Sequence, residues 1–178
     1  LKYGSEVQRK EFLPKLTNGR LVVIPALIDP VPDTIQVSIK EQIEVKDGDY
    51  ILSGIRLFVP YAHVAEWFIY RTRSEKGNMF FLINAKTPGV SYRVFDTIAS
   101  DKQCEVVFEK VRVPKVNLLG GEGDGEAILR GINEWGALAY CGFILGLLEQ
   151  VLKMSVDYAK QRVQFEKPIG SFQVIQHQ

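Results

Sequence analysis

Arg162 stands where a long helical pattern ends, and Gln173 follows eleven residues later across Gln164, Phe165, Pro168, Ile169 and Phe172. A guanidinium is a planar, permanently charged fork that suits phosphate oxygens. At a helix end it can also satisfy the last carbonyls, with the glutamine merely solvated. Other chemistry-bearing residues are sparse. His63 and His177 are isolated and have no Cys, His or Asp at metal-ligand spacing. No Ser, His and Asp or Cys and His arrangement points to a hydrolase. The glycines of Gly120-Gly121-Glu122-Gly123-Asp124-Gly125 match neither dinucleotide fingerprint, and Glu122 and Asp124 would repel an anion, so the segment reads as a loop. Trp67-Phe68 and Met79-Phe80-Phe81 read as strand core rather than a ligand cage.

The elements that must position these residues follow from local patterns. Ser5 and Gln8 form a capping box, and Val7, Phe12, Leu13 and Leu16 lie on one side of a short helix, kinked or restarted at Pro14 and ended by Asn18-Gly19. Strands follow at Leu21–Ile24, at Ile35, Val37 and Ile39 alternating with polar residues, and at Arg56–Val59, Trp67–Tyr70, Met79–Ile83 and Glu105–Phe108. Asp47-Gly48 between Ile43–Val45 and Tyr50–Leu52 signals a hairpin. Short strands between turns predict an antiparallel barrel or sandwich. A helix from about Glu126 to Gln161 carries Ile128, Ile132, Trp135, Ala139, Gly142, Leu145, Leu148, Leu152, Val156 and Ala159 near one stripe. Gly136, Gly142 and Gly146 cost it about 1 kcal/mol each against Ala, which implies close approach of another helix. Ser171 is placed to cap a second helix that begins and runs out, so the polypeptide is expected to continue.

With 178 residues and 46% hydrophobic content, the chain can bury a core. The net charge of +1, from 22 basic and 21 acidic residues with no basic cluster, gives no footprint for nucleic acid or an anionic membrane. The fourteen uncharged residues from Trp135 to Leu148 are too few to span a bilayer and suit a buried helix, so no membrane span is expected. Cys104 and Cys141 are read as buried, reduced thiols, which fits the cytoplasm, or a mitochondrial matrix in a eukaryote. The first residue is Leu1 and no signal-peptide pattern is visible, so the natural N-terminus is expected upstream.

The tail Arg162 to Gln173 resembles a segment of the acyl-CoA dehydrogenase family, Arg-x-Gln-Phe-Gly-x-Pro-Ile-x-x-Phe-Gln. Tyr3-Gly4-Ser5-Glu6 through Leu13-Pro14-Lys15-Leu16 is similar to the last helix of the family's N-terminal domain. Phe108 to Pro114, Asn117 to Gly120 and Glu122-Gly123 are similar to its exit from the β-domain. The resemblance implies an α+β fold: the end of an N-terminal helical domain over 1–20, an antiparallel middle β-domain over 21–115, and over 116–178 a loop and the first helices of a truncated helical bundle. It implies an FAD-dependent enzyme of fatty acid metabolism that desaturates an acyl-CoA thioester between Cα and Cβ. A carboxylate base would take the α-proton while hydride passes to flavin N5. Electron-transfer flavoprotein or a similar acceptor, and a homo- or hetero-oligomer with FAD across the subunit interface, come with it. The implied cofactor residues are Arg162, Gln164, Phe165 and Gln173 in the tail and Leu27, Ile28, Phe58, Val59 and Pro60 in the β-domain.

Several family positions are altered. The string Ala-Leu-Thr-Glu-Pro appears as Ala26-Leu27-Ile28-Asp29-Pro30, and Val31-Pro32-Asp33 replaces a small-residue turn. The aromatic-Ile-Thr string is Phe58-Val59-Pro60. Two side-chain donors to the flavin are lost, each worth about 0.5–1.5 kcal/mol net. Glu166 stands where glycine is usual, and the arginine expected near the start of the long helix is Ala137. The base that some members carry on this helix falls at Gly136. Glu134 is the only nearby carboxylate, and two residues apart on a helix it points elsewhere. The base is therefore expected outside these residues. These changes favour, as an alternative, a non-catalytic subunit that completes a partner's site. A flavin oxidase or monooxygenase on the same scaffold is the other alternative.

Overall fold

The computed structural model describes residues 2–29, 41–75 and 77–177. Helix α1 (Glu6–Thr17) begins at the expected capping box. The Ser5 hydroxyl accepts from the Gln8 N–H at 3.2 Å, and the Gln8 amide oxygen accepts from the Ser5 N–H at 2.9 Å. Gln8 is buried because its Nε2 also donates to the carbonyls of Val116 and Leu118, at 2.8 and 3.0 Å. One side chain thus caps the helix and ties it to the segment that leaves the sheets. The helix runs unbroken through Pro14 and ends at Asn18. Its apolar side is narrower than expected. Phe12 packs edge-on against Trp67 with ring centroids 5.0 Å apart, whereas Val7 and Leu16 are exposed.

The strands are β1 (Val23–Ala26), β2 (Gln42–Lys46), β3 (Asp49–Pro60), β4 (Trp67–Ser74), β5 (Gly77–Asn84), β6 (Val90–Phe95), β7 (Gln103–Val113) and β8 (Leu118–Leu119). They form two four-stranded sheets, β1-β4-β5-β8 and β2-β3-β7-β6. The pairings are antiparallel except β1 with β4, which run parallel with Val23 opposite Trp67. The Asp47-Gly48 hairpin forms as expected, with φ of 54° and 83° at its two central residues, the left-handed pair that a two-residue turn requires. Strand β6 lacks any counterpart in the sequence reading, and the strand placed at Ile35, Val37 and Ile39 lies outside the described residues.

Between the sheets sit Phe68, Tyr70, Phe81 and Ile83 from one layer and Leu52, Val59, Cys104, Val106, Phe108 and Val111 from the other. Phe108 meets Phe68 and Tyr70 with ring centroids 5.9 and 4.5 Å apart. Cys104 is buried and reduced as expected, but Cys141 is exposed on the long helix, a correction to the reading of two buried thiols.

Strand β3 carries a buried charge. Arg56, only 1% exposed, lies 3.2 Å from Asp29 and 2.7 Å from Glu41. It donates to the carbonyls of Ile55 and Arg71 and stacks over the Tyr70 ring at 4.3 Å. Asp29 also pairs with Arg71. Gly54 leaves the space for this cluster, since a Cβ there would stand 2.5 Å from the Tyr70 hydroxyl. Burial holds the Tyr70 phenol well above its ordinary titration range.

Two compact units divide the chain, Leu1–Leu129 and Arg130–Gln178. Helix α2 (Gly125–Gln161) crosses from one to the other in sequence and is continuous through Gly136, Gly142 and Gly146. Trp135, Leu138, Phe143, Leu145, Leu148 and Leu152 are exposed on it, so its apolar residues are not confined to one stripe. By length and composition this helix could cross a membrane, with a mean hydropathy of 1.5 over its most apolar window, a test that core helices also pass. Beyond it, β9 (Val163–Gln164) and β10 (Lys167–Pro168) form a small hairpin, followed by a turn at Ile169–Ser171 and the short α3 (Gln173–Gln176). Ser171 does not cap α3. Its hydroxyl is drawn into the preceding turn, donating to the Pro168 carbonyl at 2.7 Å, and Phe172 takes the cap position without a side-chain bond.

The start of α2 depends on Gly125, where an added Cβ would lie 1.7 Å from the Asn78 carbonyl oxygen. Asn78 also donates its amide to Glu126 at 2.5 Å. Gly125→Ala is expected to lower stability by about 1–3 kcal/mol through this overlap. Thermal unfolding indistinguishable from the wild type would show that the helix start moves away from β5 at no cost.

Candidate functional site

In the first unit, the two altered strings of the β-domain come together. The Leu57 N–H donates to the Ile28 carbonyl at 3.1 Å, and Asp29 anchors the same segment through Arg56 and Arg71. Leu27 is half-buried and Ile28 is 53% exposed. Phe58 sits in a bulge, where the β3–β7 register shifts between Arg56 and Val59. Its φ of 52° is rare for an aromatic residue and turns it outward, 55% exposed. Val59 returns to the core, so its side chain is unavailable to a ligand. Pro60 closes the strand opposite Gln103.

An open hollow of about 420 Å³ lies beside Phe58 and Leu57. Phe95 forms its other aromatic wall, with its ring centroid 6.4 Å from that of Phe58 at an interplanar angle of 49°. Arg93 lies over the Phe95 ring at 5.2 Å and pairs with Glu105 at 3.5 Å. Thr97 and Gln103, both bordering the hollow, donate to the two oxygens of Asp101. Apart from Phe58, none of these residues was singled out as a site residue in the sequence. The available signal was weak: Arg93 and Phe95 share one face of an edge strand, and only the pairing of β6 with β7 brings them beside Phe58.

These side chains fit the flat apolar faces of a flavin ring, with Ile28 and Phe58 exposed beside each other's backbone. They fit its polar edge poorly, since Ile28 and Pro60 carry no hydroxyl and Pro60 no N–H.

In the second unit, the hairpin fixes Arg162. Its N–H donates to the Tyr158 carbonyl at 2.8 Å and its carbonyl accepts from the Ile169 N–H at 2.8 Å. The main chain is held from both sides, while the exposed guanidinium makes no hydrogen bond or ion pair among the described residues. It does not cap the helix carbonyls. Phe165 and Glu166 form the hairpin tip with φ of 51° and 65°. A residue without Cβ is relaxed there, which gives a conformational reason for glycine where this chain has Glu166. Phe165 is 86% exposed and meets Phe172 edge-on at 6.2 Å, and Lys167 lies 4.4 Å over the Phe172 ring. Gln164 on β9 and Gln173 at the start of α3 are exposed. Glu134 is exposed on α2, as are its neighbours Asn133 and Trp135, and the main chain places it roughly 200° around the helix from Gly136.

The Asp101 carboxylate is held below its ordinary value of 3.8, first by the Thr97 hydroxyl and then by the Gln103 amide. A depressed folded value means that this contribution is present above the unfolded pKa and is lost as pH falls through the folded one. In an NMR titration, the Asp101 carboxyl should therefore have its midpoint below 3.8, and Thr97→Val should move it upward. Equal midpoints in the two proteins would mean that the hydroxyl does not hold the carboxylate.

The C-terminal domain family of the acyl-CoA dehydrogenases matches residues 123–178, a stretch that includes the long apolar helix. The short-chain specific acyl-CoA dehydrogenase of Megasphaera elsdenii is 34% identical over 97% of this chain and 48% of its own length. The mitochondrial isovaleryl-CoA dehydrogenase of Oryza sativa subsp. japonica is 32% identical over 99% of this chain and 45% of its own. Among solved structures, a glutaryl-CoA dehydrogenase from Mycobacterium smegmatis in complex with FADH2 aligns with a TM-score of 0.82 at 26% identity, covering 99% of this chain and 46% of that one. The chain thus spans about half the length of the relatives it matches, and over that span it belongs to the acyl-CoA dehydrogenase family.

Proposed function

We propose that the intact protein is an FAD-dependent oxidoreductase that desaturates an acyl-CoA thioester between Cα and Cβ. The observation that carries this is the Arg162 hairpin, a cation locked in its main chain and free in its side chain, inside a family match. Bound FAD would supply the acceptor for the two electrons that leave the substrate as hydride. Within this chain, Phe58 and Ile28 would provide apolar faces for the flat ring. Leu27, Val59 and Pro60 would shape the main chain around it. Arg162 would neutralise phosphate, and Gln164, Phe165 and Gln173 would border the rest of the dinucleotide. Glu134 is a poor base from its position, so the carboxylate that takes the α-proton is assigned outside these residues.

The same reading assigns 1–20 to the end of an N-terminal helical domain, 21–115 to a middle β-domain and 116–178 to the start of a helical bundle. It places the protein in an oligomer, in the cytoplasm or a mitochondrial matrix, with electron-transfer flavoprotein or a similar carrier as acceptor. A second reading, a flavin-poor subunit that completes a partner's site, is favoured by Ile28 and Pro60. A flavin absorption spectrum of the full-length protein, alone and with any co-purifying subunit, separates the two. Oxygen consumption without a protein acceptor would instead indicate an oxidase or monooxygenase.

Charge-assisted bonds to phosphate are worth about 1.5–3 kcal/mol. Arg162→Ala in the full-length protein should therefore weaken FAD binding by roughly tenfold to a hundredfold in an equilibrium titration. Arg162→Lys should recover only part, because the charge remains while the fork is lost. Equal affinity of the wild type and Arg162→Ala would reduce Arg162 to a helix end.

A further inference from the structure

The extra residue of β3 sits where the apolar pattern alone would not put it. From Arg56 to Val59, three steps along β3 match two along β7, so the surplus falls at Leu57-Phe58. From Leu52 to Gly54 the mismatch is reversed, two steps against three, with Lys110 of β7 at a φ of 50°. Gly54, Ile55 and Arg56 are thus held one residue out of line with the pairs on either side. This stretch also turns its least apolar members inward. A Cβ on Gly54 would meet the Tyr70 hydroxyl and Arg56 lies over the Tyr70 ring, while Ile55 and Leu57 take the other face. A surplus residue at Ser53-Gly54 would instead let Ile55, Leu57 and Val59 alternate unbroken on the core side. It would also turn Arg56 away from the core and relieve the left-handed φ of 52° at Phe58.

The guanidinium opposes that shift. Arg56 Nη2 lies 2.7 Å from Glu41 and donates to the Arg71 carbonyl, and Nη1 lies 3.2 Å from Asp29, which itself pairs with Arg71. A buried ion pair contributes little net stability, and its best-attested use is to select one register among several. We infer that Arg56 is a positioning residue: its grip on Asp29 and Glu41 pins the bulge at Leu57-Phe58 and so decides how Phe58 is presented. The effect on a bound cofactor rests on the flavoprotein reading above. The grip reaches Leu57 from two sides, through the chain from Arg56 and through the Ile28 carbonyl, next to Asp29, which accepts the Leu57 N–H at 3.1 Å.

That hydrogen bond supplies a readout that needs no cofactor. In the full-length protein, hydrogen exchange at the Leu57 amide is compared with the amides of the β4–β5 ladder, which gauge opening of the whole domain. The variants are Arg56→Met, Arg56→Lys and Asp29→Asn. In Arg56→Met and Asp29→Asn the Leu57 rate should rise roughly tenfold to a hundredfold more than the ladder rates. Arg56→Lys should fall between these and the wild type, since it keeps the charge but not the fork that reaches both carboxylates. FAD affinity and the long-wavelength flavin band should change in the same order.

If Leu57 and the ladder speed up together, or neither does, Arg56 does not pin the bulge and the positioning role is overturned. If Leu57 speeds up selectively but the wild type binds no FAD, the flavoprotein reading fails while the pinning of Phe58 stands. If the wild type binds FAD and the variants bind it equally well with an unshifted band, the pinning does not reach the cofactor and the positioning role is again overturned. Should Arg56→Met fail to fold, Asp29→Asn decides, because there Arg56 keeps Glu41 and its two carbonyls.

Discussion

The buried Arg56 guanidinium is the constraint around which the first unit is arranged. Removing a full charge from water costs several kcal/mol unless partners surround it. Its partners come from separate stretches: Asp29, Glu41, the Arg71 carbonyl and the face of Tyr70. Asp29 adjoins Ile28, and Arg56 stands two residues before Phe58. The charge cluster therefore fixes both halves of the apolar face that the flavin reading uses. The contact with Asp29 at 3.2 Å is a charge pairing without an aligned hydrogen bond, and Arg56 Nε has no partner. Such a cluster is weakly stabilising at best against an apolar equivalent. Its consequence lies in geometry, since Arg56 ties the segments of Asp29 and Glu41 to β3 and to the Arg71 carbonyl of β4.

Helix α2 poses the opposite problem. Its apolar residues are spread around it, and Trp135, Phe143 and Leu152 are exposed on this chain. A helix of that kind belongs in an interior. Gly136, Gly142 and Gly146 have no neighbouring atom within 4 Å of where a Cβ would stand, so each leaves room for another backbone to approach. The first unit closes its own core by stacking two sheets, whereas the second carries apolar surface left exposed among the described residues. That asymmetry fits a chain spanning about half the length of its relatives.

Features encoded within a few neighbouring residues were legible in the sequence. The Ser5–Gln8 capping box, the Asp47-Gly48 hairpin and the long helix from Gly125 to Gln161 all depend on local signals. What was missed depends on partners distant in the chain. Strand β6 is an edge strand whose existence is settled by pairing with β7, and the parallel pairing of β1 with β4 has no local signature. Ser171 was read as a helix cap because serine is favoured there, but the turn it closes with Pro168 uses the hydroxyl first. Arg56 was read only as the first residue of a strand, and the carboxylates and Tyr70 that converge on it make its burial tolerable. In the candidate site, Ile28, Phe58 and Pro60 were singled out by resemblance alone. The bulge that turns Phe58 outward, and the hollow with Phe95 beside it, follow from register shifts that no single segment announces.

Backbone strain marks one candidate cofactor residue in each unit. Phe58 in one unit and Phe165 in the other are exposed aromatic residues in the left-handed region, with φ of 52° and 51°. An aromatic side chain adopts that conformation at a cost, and surrounding structure must enforce it. For Phe58 the enforcement comes from the bulge between Arg56 and Val59, both anchored in buried positions. For Phe165 it comes from the hairpin closed by Lys167 against Gln164 and Pro168 against Val163. Neither residue repays the strain by burying its ring within this chain. An exposed aromatic held in an unfavourable conformation by a rigid support is better explained by what it presents than by what it stabilises. On the proposed flavin reading, each holds its ring ready for a flat ligand, which is the role that a strained and exposed aromatic residue fits.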